Sequence, residues 1–186
     1  GKNKNIFDIG CGYITSKIKN ITKYNNYTGL DSDVNISSSK LKKTNIHLID
    51  ITKCWFEQIN KMNETIYPSK YDIILLLNSI HFAYNNIDSL VSNINKVSKL
   101  NSFVIIKFLN KELLKRIALQ PIIFDSNFVK IVSENQIKYY YSHCHNKPML
   151  ENVFSETEIV RNFKTFGWNL HKKYDFLENS ESTWEN

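Results

Sequence analysis

The sequence has few cysteines and no long apolar stretch, and each shortage narrows the class of protein. Three cysteines, at positions 11, 54 and 144, lie far apart in the 186 residues. An odd number of widely spaced cysteines favours reduced thiols over a disulfide framework, so we expect a cytoplasmic protein. The longest apolar run, at residues 73–77, has the length of a strand and is too short to cross a membrane. We therefore expect a soluble protein with no membrane partner.

The charged residues are not gathered into a tail or a single run. Lysine and arginine number 24 against 18 acidic residues, which gives a net charge of +6. This balance favours an anionic partner, for which nucleic acid is one candidate. A chain of this length can bury one α/β core but not two ordinary ones. We interpret residues 1–186 as a single domain, with poorly ordered residues at 178–186.

Short β-rich runs alternate with helical patterns along most of the chain. The pattern predicts strands at residues 5–9, 27–31, 46–50, 71–77 and 103–108, and helices at 15–22, 33–42, 55–63, 87–97 and 111–119. A polar pair, residues 101–102, reads as the turn before the fifth strand. Such alternation is typical of βαβ units, so we expect an α/β protein with a mostly parallel, Rossmann-like sheet.

After residue 120 the pattern changes. Two runs at 128–132 and 136–142, joined by a polar turn, predict an antiparallel pair. We expect an insertion over the substrate side at about residues 120–150. Ser155 and Glu158 have the spacing of a capping box that begins a helix, Gly167 ends it, and residues 168–176 read as a final strand.

The first predicted strand ends in Gly10-Cys11-Gly12. Two glycines between a strand and a helix let backbone N–H groups approach a ligand closely, as in nucleotide-binding turns. The third glycine that a dinucleotide pyrophosphate requires is absent, and Asp8 adds a carboxylate that suits a cation. The match is better to S-adenosylmethionine, whose ammonium can pair with an acid. The alternative is a tight turn with solvated acids.

Acids close the first three predicted strands, and they are candidates for contact with that cofactor. Asp31 is placed to accept hydrogen bonds from ribose hydroxyls, Asp8 to pair with the amino group, and Asp50 to accept from the adenine amine. Local capping is the alternative, since Asp31 or Asp33 could begin the next helix and Asp50 could cap with Thr52.

The fourth predicted strand leads into a polar and aromatic segment. Asn78, His81, Phe82 and Tyr84 could hold a flat base by stacking and by edge hydrogen bonds. In the alternative reading the two aromatic rings belong to the core and His81 is structural. His143 and His145 flank a cysteine, but strand alternation separates them from it, so we predict no metal site.

Six motifs, in order and with matching spacing, resemble the guanine-N7 methyltransferase domain of enzymes that cap messenger RNA. They lie at residues 7–12, 27–31, 71–74, 81–84, 147–151 and 163–168. The form with Pro148 and Glu151 is most similar to multifunctional capping enzymes of large cytoplasmic DNA viruses and related linear plasmids. The resemblance implies a class I S-adenosylmethionine-dependent methyltransferase that acts on the 5′ cap of messenger RNA, in the host cytoplasm or the virion.

This resemblance also implies roles for individual residues. The cofactor would lie against Asp8, Gly10, Cys11, Gly12, Asp31, Asp50, Leu77 and Asn78. The cap guanine would lie against His81, Phe82, Tyr84 and Glu151, with Glu151 accepting from the N1 and amino edge. Lys107, Lys138 or Lys147 would meet the triphosphate. No residue would act as a chemical catalyst, because guanine N7 carries an available lone pair and needs no general base.

Two positions depart from the family pattern. Phe82 replaces the usual tyrosine, and Leu77-Asn78 replaces the usual Gln-Phe pair. The chain also starts at the first strand and stops before the family's final one, so we expect a fragment of a larger capping enzyme. Its partners would then include triphosphatase and guanylyltransferase domains of the same polypeptide, or a stimulatory subunit. The alternative function is a catalytically impaired, methyltransferase-like subunit that binds and stimulates a capping enzyme.

Overall fold

The computed structural model describes residues 4–12, 24–33, 44–62, 70–117, 122–124, 127–140 and 147–174. Five strands form a central sheet: β1 Lys4–Ile9, β2 Tyr24–Asp31, β3 Thr44–Leu48, β4 Tyr71–Leu77 and β5 Ser98–Lys107. The helices are α1 Trp55–Lys61, α2 Ile87–Val97, α3 Lys111–Ile117 and α4 Glu156–Lys164, with a 3₁₀ segment at Ile80–Asn86. A second sheet contains β6 Ile122–Phe124, β7 Asn127–Ser133, β8 Gln136–Tyr140 and β9 Met149–Asn152.

The strands of the central sheet lie in the order β3-β2-β1-β4-β5, and every neighbouring pair is parallel. This confirms the predicted α/β class and all five predicted strands. The chain order reverses between β1 and β4, so the carboxyl ends of these two strands border the crevice where α/β sheets bind ligands. The helix predicted at 15–22, and all but the first residue of the helix predicted at 33–42, lie outside the described residues.

Both faces of the sheet are covered, as the apolar run of β4 requires. Phe7 and Ile9 of β1 point into the larger core, which also holds Trp55 of α1 and Leu90 of α2. Ile6, on the opposite face of β1, belongs to a smaller cluster whose members are Ile6, Cys11, Tyr27 and Leu75. A strand buried on both faces reads as a continuous apolar run because neither face meets water.

Close packing brings the end of β1 against the end of β4. Gly10 has a φ of +67°, and a Cβ built there would lie 2.4 Å from the Cβ of Ser79. The Ser79 hydroxyl donates to the carbonyl oxygen of Ile9 at 2.6 Å. Gly29 of β2 is constrained in a similar way, since a Cβ there would lie 2.8 Å from the Cys11 sulfur. The glycine turn therefore packs closely against β2 on one side and against the residues that follow β4 on the other.

The second sheet is antiparallel, with the order β6-β7-β8-β9. The two strands predicted there, β7 and β8, are confirmed. Strands β6 and β9 were missed, because each is only three or four residues long and carries no alternating pattern of its own. The insertion extends to Asn152, slightly beyond the expected residue 150.

The strand predicted at residues 168–176 is wrong for its described part, residues 168–174, which are not in a strand. Trp168 packs against the larger core, whereas residues 169–174 are exposed. The apolar alternation therefore reflects separate contacts, such as the His171 ring 6.0 Å from that of Phe103, and not strand pairing. Asn101, predicted as a turn, lies inside β5 with a φ of +60°, where the pairing register shifts.

Lys111, the first residue of α3, joins the second sheet to the rest of the fold. The Lys111 ammonium lies 3.1 Å from Asn135 Oδ1 in the β7–β8 turn and 3.1 Å from Glu158 Oε1 at the start of α4. Glu158 and Ser155 form the predicted capping box. Burial disfavours ionisation of Glu158, but hydrogen bonds from the Ser155 N–H and the Lys111 ammonium outweigh it and lower the pKa of Glu158 below its ordinary value.

The two left-handed glycines of the first turn provide a matched pair of variants. Gly12→Ala should cost only the left-handed backbone penalty of about 1–2 kcal/mol, because no described residue lies within 4 Å of a Cβ there. Gly10→Ala should cost about 1–3 kcal/mol more, since its methyl group collides with Ser79. Urea unfolding measures both. Adding Ser79→Gly to Gly10→Ala should recover part of the loss, and equal losses in the two glycine variants would contradict the packing argument.

Glu158→Gln should reduce the free energy of unfolding by about 1–2 kcal/mol at pH 7, through its hydrogen bonds to charged and backbone groups. Because the folded pKa of Glu158 is below the unfolded value of about 4.3, this stabilisation is complete above that value and disappears as the pH falls through the folded pKa. Denaturant titrations at pH 7 and pH 3 should therefore show a gap that closes in acid. Glu156→Gln, which removes an exposed pair with Lys173, serves as the control with a smaller loss.

Candidate functional site

The glycine turn is held against the end of β2 by backbone hydrogen bonds. The N–H groups of Gly10 and Cys11 both donate to the Leu30 carbonyl oxygen, at 2.8 and 3.0 Å. The Gly12 N–H donates to Asp31 Oδ2 at 2.8 Å, and the Asp33 N–H donates to Asp31 Oδ1 at 3.0 Å. A carboxylate offers about four acceptor positions, so Asp31 retains capacity for ribose hydroxyls while it anchors the turn. Asp31 is half-buried at the crevice, in the position that the sequence predicted.

Asp8 lies inside the sheet beneath this turn and has no exposed surface. It accepts a short hydrogen bond from the Tyr27 hydroxyl of the neighbouring strand. Burial, reinforced by the adjacent Asp8 carboxylate, raises the pKa of Tyr27 far above its ordinary range, so this hydroxyl stays a neutral donor. Direct pairing of Asp8 with the ammonium of a cofactor stays a prediction. What the geometry provides is a buried acid directly below the turn.

Asp50 lies two residues beyond the end of β3 and forms a local turn. Its Oδ1 accepts from the Thr52 N–H at 2.9 Å and from the Thr52 hydroxyl at 2.6 Å, and its Oδ2 lies 3.1 Å from the Lys53 ammonium. The Thr52 hydroxyl is the main reason why the pKa of Asp50 is lowered. The capping alternative is therefore present in the structure, and a contact with adenine stays a prediction.

The end of β4 makes a sharp turn at the crevice. Leu77 is the last residue of the strand, and Asn78 adopts a left-handed φ of +60° with an exposed side chain. The Asn78 N–H donates to the Lys107 carbonyl oxygen at 2.9 Å. Asparagine tolerates this conformation better than most residues. The turn sends the chain across the crevice into the 3₁₀ segment that carries the predicted substrate residues.

Two residues predicted to contact the acceptor substrate lie against each other. The Nδ1 atom of His81, in the 3₁₀ segment, lies 2.7 Å from Glu151 Oε1, on β9. The side chains are 16% and 11% exposed, respectively. The pair joins the end of the central sheet to the second sheet, and its hydrogen bond fixes the imidazole orientation. It leaves the second carboxylate oxygen of Glu151 as a further acceptor.

The two aromatic residues predicted at the acceptor site differ in their exposure to solvent. Phe82 is 65% exposed, and its ring centroid lies 3.9 Å from that of His81. Tyr84 is half-buried against the larger core, with its ring centroid 4.9 Å from that of Phe154. The core alternative therefore describes Tyr84, whereas Phe82 presents a largely exposed ring in contact with His81.

The three candidate phosphate lysines lie in different places. Lys107 ends β5 beside Asn78, and Lys147 is exposed just before β9. Lys138 pairs with Leu150, whereas its neighbour Ile137 pairs with Glu151. Successive side chains of a strand point to opposite faces, so Lys138 lies on the face opposite Glu151. Contacts of these three lysines with the triphosphate stay predictions.

Tyr139 was not among the predicted site residues. It pairs with Met149 of β9 and lies on the same face as Ile137 and Glu151, in a half-buried position. Its ring is therefore part of the wall that carries Glu151. The aromatic residue was visible in the sequence, but its face could be assigned only once β9 and its register were known.

Among the described residues, no group of three His, Cys, Asp or Glu side chains is arranged to hold a metal ion, and no helix is long and apolar enough to span a membrane. The His143-Cys144-His145 run lies outside the described ranges.

Comparison with known proteins gives matches in structure only. No protein-family model matches the sequence, and no curated protein is significantly similar to it. A methyltransferase dependent on S-adenosylmethionine from Methanosarcina mazei is 13% identical, with a TM-score of 0.59 over 89% of this chain and 79% of that one. One from Clostridium acetobutylicum is 14% identical, with a TM-score of 0.59 over 86% and 71%. The sugar N-methyltransferase KedS8 from a Streptoalloteichus species is 9% identical, with a TM-score of 0.58 over 90% and 72%.

These sequence identities are too low to assign a substrate to this chain, but the structural similarity spans most of both chains in each comparison. This chain has a parallel sheet in the order β3-β2-β1-β4-β5, a glycine turn at the end of β1 and an acid at the end of β2. The chain therefore has the class I fold of S-adenosylmethionine-dependent methyltransferases, with a small antiparallel sheet added.

Proposed function

We propose that this chain binds S-adenosylmethionine and transfers its methyl group to N7 of the guanosine cap at the 5′ end of messenger RNA. The observation that carries the proposal is the His81–Glu151 pair, with 2.7 Å between Nδ1 and Oε1. The resemblance assigns both residues to one guanine pocket, although His81 belongs to the 3₁₀ segment that follows β4 and Glu151 to β9 of the second sheet. Their proximity at the ligand-binding end of the central sheet supports that assignment.

The residues present fit the cofactor. Gly10 packs against Ser79, whereas no described residue lies within 4 Å of a Cβ position at Gly12, so Gly12 leaves room for a ligand at the turn. Asp31 keeps acceptor positions for the ribose hydroxyls. The buried Asp8 carboxylate provides a negative potential below the turn, which favours a cationic ligand. When bound, S-adenosylmethionine supplies a methyl group activated by its sulfonium.

The acceptor side fits a purine edge. Glu151 gives one oxygen to His81 and retains the other for N–H donors, and guanine presents such donors at N1 and at its amino group. Phe82, next to this pair, offers a ring for stacking. Adenine has no donor at N1, so a carboxylate in this position would favour guanine over adenine.

The chemistry then requires placement more than proton transfer. N7 of guanine is a neutral nitrogen with a lone pair, so no residue has to remove a proton. The protein's contribution is to hold the two reactants in line and in register, which can supply a large part of the barrier reduction. The His81–Glu151 pair serves this purpose as a rigid hydrogen-bonded unit that orients the guanine edge.

Asp31→Ala should weaken binding of S-adenosylhomocysteine by about 1.5–3 kcal/mol, or roughly 10- to 150-fold, through lost hydrogen bonds to a charged acceptor. Isothermal titration calorimetry measures the loss, and a thermal melt should show that the fold persists. Asp88→Ala, which removes an exposed acid in the first turn of α2, is the comparison variant with the same change in charge and should bind like the parent. Undiminished binding by Asp31→Ala would remove Asp31 from the cofactor site.

Glu151→Gln should lower methylation of capped RNA about 100-fold while leaving affinity for S-adenosylhomocysteine within about twofold, because an amide keeps one acceptor and adds a donor facing guanine donors. Glu134→Gln, in the exposed turn of the same sheet, is the matched control and should stay active. Replacing the cap guanine by inosine, which lacks the amino group, should harm the parent far more than Glu151→Gln.

If inosine reduces both enzymes by the same factor, Glu151 does not read that edge. A parent chain that binds S-adenosylhomocysteine yet methylates no capped RNA, even at high enzyme concentration, would favour the stimulatory-subunit alternative.

A further inference from the structure

The second sheet has a face that the site does not use. Register places Lys130 of β7 directly opposite Lys138 of β8, and Lys138 opposite Leu150 of β9. All three side chains are exposed. Ile137, Tyr139 and Glu151 lie on the other face. We call the face of Lys130, Lys138, Tyr140 and Leu150 the outer face.

Two lysines directly opposite each other on adjacent strands repel, with Cβ atoms about 5 Å apart. Within the described part of the chain, neither Lys130 nor Lys138 forms an ion pair, and the described residues of the outer face include no acid. The nearest acid in sequence, Glu134 in the β7–β8 turn, already lies 3.8 Å from the Lys115 ammonium. Among the described residues, the positive charges of Lys130 and Lys138 are therefore not neutralised by an acid, and they can attract an anionic partner.

We propose that the outer face binds the phosphodiester backbone of single-stranded RNA, namely the nucleotides that follow the cap. Two neighbouring lysines would each meet a phosphate, and Tyr140, one row farther along the same face, offers a ring to a base. Surfaces that bind single-stranded nucleic acids usually combine cationic side chains, which contact the phosphates, with aromatic side chains, on which the bases stack. This inference rests on the proposed function for its choice of RNA.

The location supports the same partner. Leu150 on the outer face and Glu151 on the inner face are consecutive residues of β9, and among the described strands β9 is an edge of the second sheet. An RNA chain that leaves a guanine held at Glu151 therefore has only this edge strand to pass before it reaches Lys138. The net charge of +6 favours such a polyanion over a neutral partner.

The test uses a double variant, Lys130→Gln with Lys138→Gln, in the full chain. Fluorescence anisotropy measures binding of an uncapped 12-nucleotide RNA, labelled at its 3′ end, at several salt concentrations. Loss of two phosphate contacts should reduce the slope of log affinity against log salt by about 1.4, and affinity near 0.1 M salt by about 10- to 30-fold. The KM for capped RNA should rise, whereas methylation of a cap dinucleotide, too short to reach the outer face, should change less than twofold.

Lys61→Gln with Lys96→Gln is the matched control. Both lysines are exposed in the last turns of α1 and α2, and the change in net charge is the same. The control should keep the parent's salt slope. The outer-face variant should melt at the parent's temperature or slightly above it, because like-charge repulsion is removed, and the single variants should each show about half the slope change.

Equal losses in the two double variants would overturn the proposal, as would an unchanged salt slope. Tighter binding of the parent to phosphatidylserine vesicles or to a polyglutamate peptide than to RNA would also overturn it and would identify a different anionic partner. The outcome is independent of the cap assignment: a chain that methylates no cap but shows the slope change retains the RNA surface, and a cap methyltransferase with an unchanged slope lacks it.

Discussion

The structure depends on the clamped turn between β1 and its neighbours. Backbone N–H groups of Gly10 and Cys11 share the Leu30 carbonyl oxygen, the Gly12 N–H reaches Asp31, and Gly10 leaves no space for a side chain beside Ser79. These contacts join three strands at the crevice. Asp31 anchors the turn and is also the proposed ligand of the ribose, so under that proposal one carboxylate would determine both the shape of the turn and the affinity for a nucleoside.

The proposed acceptor side includes Glu151 of the second sheet, and the central sheet alone would not position this residue. Lys111 ties the β7–β8 turn and the start of α4 together, and the chain at Phe154 forms a bridge with Asn110. These contacts set where β9 lies and hence where Glu151 meets His81. The two halves of the proposed reaction therefore have separate structural supports, one in the glycine turn and one in this joint.

Much of the fold could be predicted because its signals are local. The apolar runs of β1 and β4, and the capping box of Ser155 and Glu158, depend on neighbouring residues, and the structure contains all of them. The short strand β9 could not be predicted, since it is defined by its pairing with β8. For the same reason, the sequence could not show which of Lys138 and Tyr139 shares a face with Glu151. At residues 168–174 the error was the opposite one, because a strand was predicted and is absent. A local alternation of apolar residues does not form a strand when no neighbouring strand pairs with it.

The position of the His81–Glu151 pair has a consequence for the cooperativity of unfolding. Its two members belong to structural units that are held together by a limited joint, and such units can open locally at a lower free energy than the whole domain. Opening of the second sheet would remove Glu151 from His81 while the glycine turn and Asp31 remained in place. Selection of the acceptor would then be lost under milder denaturing conditions than affinity for the cofactor, so recognition of the two ligands would fail one after the other and not together.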